Sequence, residues 1–290
     1  MIQLALISEG VNTWPVYVAQ TLGFWRDHGV SVAFSVTGSS IKQLDALKKG
    51  EFDIGFQQVD HVVRGVEQGF DLFILMSQSH APELSLVVSA DIASVLDLKG
   101  KTIIVDDANT GYSLLLKKLF AERGLKPTDT LFKNVGGSQE RFDAMKNKEG
   151  SACFINPPFD RNLLAEGFKC LGTSGQFFPS YPGPVAAARR SWAQSHREEL
   201  IGFIRGFNAA YAWLQNPQHG SEALALLPSH LQMDPVAAQR ILEKVYGQPR
   251  PVIAPKAVEE VVNLLWWVEN KTTPQAKAEK YMELSFLRDA

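Results

Sequence analysis

Short apolar runs alternate with amphipathic helical patterns over the first 180 residues, and this alternation constrains the fold more than any other feature. The first run, at residues 2–7, precedes a helical pattern at 15–27 that Gly29 ends as a C-terminal cap. A strongly β-branched run at 30–36 follows. Strands joined by helices form right-handed βαβ units, so the pattern predicts an α/β fold with parallel sheets covered on both faces.

A second series of strands and helices begins at residue 102, and the chain returns through residues 180–188. Two series joined by two crossings predict two lobes with a ligand cleft between them, hinged by paired strands. We expect the first lobe to comprise residues 1–85 and 185–290, including a helical C-terminal segment. The second lobe is expected at residues 86–184.

Composition and charge exclude several classes of protein. The formal net charge is -2, so the chain as a whole is not drawn to nucleic acid or to an anionic membrane. No run approaches the roughly 20 apolar residues of a membrane helix. Cys153 and Cys170 are interpreted as free buried thiols, although a disulfide between them stays open. Without a histidine or a third cysteine near them, no metal site is expected, and we predict no cofactor and a monomer.

The first predicted strand begins at residue 2, which leaves no room for a leader in this sequence. Two interpretations remain open. Either the protein is cytoplasmic, or a leader was removed and Met1 is not the native start, which would place the protein in the periplasm or another extracytoplasmic space.

Polar loops at the carboxyl ends of the first-lobe strands are candidate ligand-binding segments, because ligands of open α/β sheets bind there. Pro15 fits the first turn of a helix whose free N–H groups and aromatic side chains would point past the strand. The alternative is that these aromatics pack the helix onto the sheet. Capping alone would likewise explain the serines at residues 39–40. The first-lobe candidates are Asn12, Trp14, Tyr17, Gly38, Ser39, Ser40, Gln57, Gln58 and His61.

The second lobe repeats the pattern of glycine and small polar residues at helix starts. A turn at residues 181–184 is the strongest loop signal in the chain, and its tyrosine could cover a ligand. The second-lobe candidates are Asn109, Thr110, Gly111, Gly136, Gly137, Ser138, Asn156 and Tyr181. No catalytic residue is predicted, because no nucleophile and base stand in a recognisable pattern.

Several segments resemble the nitrate, sulfonate, taurine and thiamine-precursor binding proteins of ATP-driven importers. They are PVYVAQTLGFWRDHG at 15–29, LDALKKGEFDIG at 44–55, DLKGKTIIV at 97–105, the loop that ends in Thr110 and Gly111, and NPPF at 156–159. The resemblance covers nearly the whole chain. It implies the type II two-lobed periplasmic-binding-protein fold, a small-molecule ligand and a membrane permease as partner. Carried over by position, it places the candidate residues in the cleft.

Two departures from the family pattern bear on the ligand. The family often has a tryptophan where this chain has Asn156, and Asp106 and Asp107 would disfavour a strongly anionic ligand if they face the cleft. No arginine is evident at a strand-end loop, so a bidentate carboxylate clamp is not predicted. The resulting hypothesis is a small polar molecule, aromatic or heterocyclic, stacked on Trp14 or Tyr181, with a sulfonate-like anion as another option.

His61 closes a GxxxxxH pattern, GFQQVDH at 55–61, that is similar to one in fungal pyrimidine-precursor synthases of this fold. Those enzymes use the histidine as a substrate and also have a cysteine-rich stretch that this chain lacks. A ligand contact and an ordinary helix residue are therefore the other interpretations of His61.

The leading hypothesis for the function is a solute-binding protein that closes on its ligand. The alternatives are an enzyme of the same fold acting on a small aromatic or pyrimidine-like metabolite, and a sensing domain of a regulator.

Overall fold

Two mixed sheets of five strands each form the framework of the protein in its computed structural model. The structure describes residues 1–81, 83–231, 235–271 and 277–290, without the side chains of 227–231 and 237. Within these ranges the strands are β1 (Ile2–Leu6), β2 (Val32–Val36), β3 (Ile54–Gln57), β4 (Leu72–Ser77), β5 (Ser85–Val88), β6 (Thr102–Val105), β7 (Leu131–Asn134), β8 (Ala152–Ile155), β9 (Lys169–Thr173) and β10 (Val185–Arg189).

The α-helices in the same ranges stand between strands up to β10 and then follow one another. They are α1 (Trp14–Leu22), α2 (Phe24–Asp27), α3 (Ser40–Lys49), α4 (Val59–Glu67), α5 (Gly111–Glu122), α6 (Ser138–Lys146), α7 (Phe159–Ala165), α8 (Ser174–Phe177), α9 (Arg190–Ser195), α10 (Arg197–Gln215), α11 (Gly220–Leu231), α12 (Pro235–Ile241), α13 (Pro255–Val268) and α14 (Ser285–Asp289). A π-helical turn at Leu242–Tyr246 continues α12.

The chain divides into two units, each built on one sheet. Unit 1 contains sheet A, with strand order β2-β1-β3-β10-β4, and unit 2 contains sheet B, with order β7-β6-β8-β5-β9. Unit 1 comprises Met1–His80, Pro182–Val258 and Lys277–Ala290, and unit 2 comprises Ala81–Tyr181 and Glu259–Ala276.

The prediction of purely parallel sheets is wrong for one strand of each sheet. In sheet A, β1 pairs in parallel with β2 and β3, whereas β10 lies antiparallel between β3 and β4. Val185 pairs with Gln57 and Ala188 with Ile54, so the chain enters sheet A at the carboxyl end of β3 and runs the opposite way. In sheet B, β5 lies antiparallel between β8 and β9. Neither strand follows a crossover helix of its own sheet, the connection that makes strands parallel.

The first predicted helix, at residues 15–27, is two helices in the structure. Gly23 adopts a left-handed conformation with φ 78° between α1 and α2, a conformation that glycine reaches without steric cost. The turn brings Trp25 onto α10, where its ring stacks on Phe203 with centroids 5.6 Å apart and its indole N–H donates to the Phe203 carbonyl over 3.2 Å.

Residues 259–268 of α13 belong to unit 2, whereas the sequence-based boundaries place them in the first lobe. Within unit 2 their side chains face α5, and Lys118 lies 4.7 Å above the centroid of the Trp267 ring. The amphipathic pattern of α13 predicts an apolar face, but it does not indicate which of the two sheets this face covers.

Both cysteines are free and belong to strands of sheet B. Cys153 and Cys170 pair with the same residue, Val87, from the two sides of β5, so one strand separates them. Cys153 is buried, and burial raises the pKa of its thiol to about 12. Cys170 is exposed, which differs from the predicted pair of buried thiols.

The contact of α2 with α10 leads to a stability prediction. A Cβ added to Gly206 would lie 2.3 Å from Trp25 Cδ1 and 3.0 Å from Trp25 Cα, so Gly206→Ala must push the helices apart. We expect the free energy of unfolding to fall by about 1–3 kcal/mol, although alanine is the better helix former.

Gly220→Ala is the matched control. Gly220 has φ -54° and nothing within 4 Å of the added Cβ, so this change should be neutral or stabilise by up to about 1 kcal/mol. Chemical denaturation of both variants provides the comparison, and equal effects would contradict the close packing at Gly206.

Candidate ligand-binding site

The carboxyl edge of sheet A in unit 1 collects the first group of predicted residues. The ladder between β1 and β2 continues past the strands, because Thr37 N donates to Leu6 O over 2.8 Å and Gly38 N to Ile7 O over 3.0 Å. Gly38 has φ 69°, and the hydroxyl of Ser39 accepts a long 3.4 Å bond from Lys42 N as α3 begins. Gly38, Ser39 and Ser40 therefore form the predicted helix start, and their contact with a ligand stays a prediction.

Asn12 and Tyr17 lie at the same edge and contact the neighbouring loops. The Asn12 carbonyl accepts a 3.0 Å hydrogen bond from the side-chain amide of Gln78, which follows β4. The Tyr17 hydroxyl donates to the Glu9 carboxylate, and its ring packs edge-on to Phe34 with centroids 5.4 Å apart. Burial and the Glu9 carboxylate raise the pKa of Tyr17, so the hydroxyl stays protonated at neutral pH.

Trp14 lies in the core, which corrects the expectation that its ring is open to a ligand. Its exposed fraction is 0%, and the ring stacks on Tyr246 with centroids 5.7 Å apart and planes 9° from parallel. Tyr246, in the π-helical turn after α12, therefore covers one face of the Trp14 ring. A helix was predicted to begin at Pro15 and one begins at Trp14, but its aromatic side chains point into the core.

Gln57 and His61 lie in the layer between sheet A and its helices. Gln57 has an exposed fraction of 0%, and its Oε1 lies 3.1 Å from Nδ1 of the buried His61. His61 Nε2 lies 3.7 Å from Asp60 Oδ2, so both ring nitrogens have neighbours in the protein. The two glutamines were predicted to offer their side-chain amides to a ligand together. In the structure only Gln58, the N-cap residue of α4, is partly exposed, whereas Gln57 is buried. The buried ring of His61 favours a structural role in this conformation.

The carboxyl edge of sheet B in unit 2 begins with a loop that is ordered by its own carboxylates. Asp106 Oδ1 accepts a 2.8 Å hydrogen bond from the Thr110 hydroxyl. Asp107 accepts from the backbone N–H of Asn109 over 2.8 Å and from the Asn134 amide over 2.9 Å. Asn109 is exposed, and Gly111 begins α5. These bonds account for both aspartates within the loop.

A second cluster at this edge contains an arginine that the sequence analysis missed. The Ser138 hydroxyl donates to the Asn156 side-chain carbonyl, which joins the start of α6 to the end of β8. Arg141, one turn into α6, donates to Ser138 Oγ over 3.1 Å and to the Phe154 carbonyl. No arginine was evident in the strand-end loops themselves, but this helical residue reaches the same edge from α6. The glycines before Ser138, Gly136 with φ 106° and Gly137, form the turn into the helix.

Tyr181 lies beside Tyr112, with ring centroids 5.9 Å apart, and borders a cavity of about 280 Å³ within unit 2. Leu115, Phe178, Leu264 and Trp267 also line this cavity. The contact of Tyr181 with a ligand stays a prediction. In the part of the chain that the structure describes, no group of three His, Cys, Asp or Glu side chains is placed to hold a metal ion.

The sequence model of the NMT1/THI5-like family matches residues 11–220, and the chain belongs to this family. No curated protein matches the chain in sequence. None of the described helices is both long and apolar enough to cross a membrane.

Solved structures similar to the chain share its fold at low sequence identity. The alkanesulfonate-binding protein SsuA from Xanthomonas axonopodis pv. citri, bound to MOPS, has a TM-score of 0.77 and 16% identity over 98% of each chain. The periplasmic nitrate-binding protein NrtA from Synechocystis PCC 6803 has a TM-score of 0.76 and 14% identity, over 99% of this chain and 87% of that one. The Candida albicans CA3427 gene product has a TM-score of 0.78 and 16% identity, over 98% and 96%. The chain thus has the two-lobed periplasmic-binding-protein fold.

The position of Trp14 leads to a prediction that separates core from site. Because the ring is fully buried, Trp14→Ala should lower the free energy of unfolding by about 3–5 kcal/mol. Trp267→Ala is the control, since this ring is 40% exposed and should cost about 1 kcal/mol or less. Chemical denaturation measures both values. A small loss for Trp14→Ala would return its ring to the ligand-binding surface.

Proposed function

We propose that the protein is the solute-binding component of an ABC importer and binds a small polar organic molecule at the carboxyl edges of its sheets. The Ser138–Asn156 pair with Arg141 carries this proposal. It combines a hydroxyl, an amide and a guanidinium from two elements at the start of a helix, where free N–H groups also face outward. Such convergent polar groups orient a ligand. Membership of the family and similarity to the sulfonate- and nitrate-binding proteins support the same function.

The aspartates of the 106–111 loop bear on the class of ligand. Thr110, Asn109 and Asn134 satisfy both carboxylates within unit 2, so they are held as parts of the loop. These donors are neutral, so they fix the carboxylates in the loop without cancelling their negative charge. The small polar molecule, aromatic or heterocyclic, and the sulfonate-like anion both stay within the proposal. Native mass spectrometry of freshly purified protein would identify a co-purified compound.

An importer role implies a membrane permease as partner and an extracytoplasmic location. We propose that the protein acts as a monomer, and that it is extracytoplasmic if the encoded chain carries a leader and cytoplasmic if Met1 is the native start. The gene sequence tests the second point directly. Turnover of the bound compound would replace this proposal with the alternative of an enzyme on the same fold.

Ligand binding should shift an equilibrium between open and closed forms, as the sequence-based hypothesis holds. We expect the radius of gyration from small-angle X-ray scattering to decrease when the co-purified compound is added back at saturation. The same titration with an unrelated neutral sugar is the control. Unchanged dimensions at full occupancy would contradict closure while leaving ligand binding intact.

Asn156→Ala tests the cluster at the edge of sheet B. It removes the partner of Ser138 and the amide offered to a ligand, so the dissociation constant should rise by about tenfold. Asn162→Ala is the matched control, because Asn162 is exposed on α7. Calorimetric titration with the co-purified compound gives both constants. Equal affinities for the two variants would remove Asn156 from the site.

A further inference from the structure

Arg250 lies at the carboxyl end of β4 in unit 1, in the segment after the π-helical turn. Its Nη2 is 3.4 Å from the Ser77 carbonyl oxygen and 3.5 Å from Met76 Sδ, both long contacts. Its guanidinium carbon lies 5.9 Å from the centroid of the Phe207 ring on α10. The position places a guanidinium at the same edge of sheet A as the loops after β1 and β2.

The charge of Arg250 is not balanced by a carboxylate in the described part of the chain. Its Nε is buried without a hydrogen-bond acceptor, and burial lowers the pKa of the guanidinium. By contrast, Arg190 on the same unit pairs with Glu283 over 2.9 Å. The side chain is only partly exposed, so water solvates its charge incompletely. Such a charge is costly unless another molecule supplies the counter-charge.

Two aromatic donors that flank Tyr246 also lack acceptors. The hydroxyl of Tyr211, a residue with an exposed fraction of 1%, and the indole N–H of Trp14 are both buried and unpaired. The two rings flank Tyr246, at centroid distances of 5.1 Å and 5.7 Å, and the Tyr246 hydroxyl itself donates to the Val11 carbonyl over 2.6 Å. Burial raises the pKa of Tyr211 to about 12, against the opposing charge of Arg250, so its hydroxyl is a neutral donor at physiological pH.

Asn208, one turn before Tyr211 on α10, has a buried side-chain oxygen without a donor. An amide can turn to present its NH₂ group instead, so Asn208 does not oppose an anion at this place. Arg250 and Tyr211 therefore provide an unbalanced cation and an unused donor that both lie next to Phe207, whose ring centroid is 5.9 Å from the guanidinium carbon and 6.5 Å from the Tyr211 centroid.

We propose that Arg250 and Tyr211 bind the anionic group of the ligand, a carboxylate, sulfonate or phosphate-like oxyanion. The proposal rests on the proposed function and narrows its ligand to an organic anion. A water molecule could accept the hydrogen bonds, but it would leave the charge unbalanced. An oxyanion supplies both the acceptors and the charge, and the guanidinium can offer Nε and Nη2 to two oxygens in one plane.

The direct test uses simple oxyanions as probes. Sodium methanesulfonate, acetate and inorganic phosphate are titrated into the wild-type protein at constant ionic strength, with chloride as the reference, while ¹H–¹⁵N spectra follow the Arg250 Nε–H and the Trp14 indole N–H. At least one probe should shift the Arg250 signal saturably, and chloride should not. Arg250→Gln should weaken that binding by about tenfold or more, Tyr211→Phe by a smaller factor, and Arg250→Lys by an intermediate one.

Arg123→Gln is the matched control, because Arg123 is exposed at the end of α5 in unit 2, and it should leave the titration unchanged. Absence of a saturable response to all three probes in the wild type would overturn the proposal, and this result needs no variant to fold. Binding that Arg250→Gln leaves intact would overturn it as well.

Thermal unfolding of the free protein gives an independent measurement. If Arg250 is unbalanced without ligand, Arg250→Met should keep or raise the unfolding midpoint, and methanesulfonate, acetate or phosphate should raise the midpoint of the wild type only. A large fall in the midpoint of Arg250→Met would indicate a structural arginine and contradict the proposal.

Failure of this inference can be distinguished from failure of the proposed function. A neutral solute that binds wild type and Arg250→Gln equally would overturn this inference but leave the solute-binding function. If the protein binds an oxyanion at Arg250 but also turns over its ligand, this inference stands and the solute-binding function is overturned.

Discussion

The antiparallel strand inside each sheet is the constraint on which the rest of the structure depends. In sheet A, Val185 of β10 pairs with Gln57 on one side and Ser77 on the other, so β10 holds the carboxyl ends of β3 and β4 at one edge. Without it, β4 would have no strand partner among the described residues. Strand β5 has the same place between β8 and β9. The polar loops at both edges are therefore positioned by pairings between segments far apart in the sequence.

This dependence explains which parts of the fold were predictable. Strand β6 begins at residue 102, where the second series was predicted to begin, because an apolar run between polar turns is a local signal. The directions of β5 and β10 were not predictable, since a strand buried on both faces has the same continuous apolar pattern whether its neighbours are parallel or antiparallel. Every residue of β5 is buried, so its apolar sequence does not indicate the direction of the strand.

The same distinction applies to the candidate site. Helix starts after β2 and β7 were predicted because glycine and serine mark them, whereas side-chain directions depend on packing. Trp14 and Tyr17 are three residues apart on α1, so they share a face, and that face is buried. Gln57 shares a face of β3 with Gly55, next to Leu47 and Gln43 of α3, and thus points into the helix layer. A strict period of two along β3 could have revealed this second case.

The charges of the site come from residues outside the loops that the sequence highlights. Arg141 reaches its edge from inside a helix, and Arg250 reaches its edge from a segment beyond residues 11–220, the part that the family match covers. The family match therefore covers most of the sheets and loops but not the segment that contains Arg250. Structural neighbours at 14–16% identity share the same fold. The proposed role of Arg250 in binding an anionic group therefore rests on this chain's own contacts and not on its relatives.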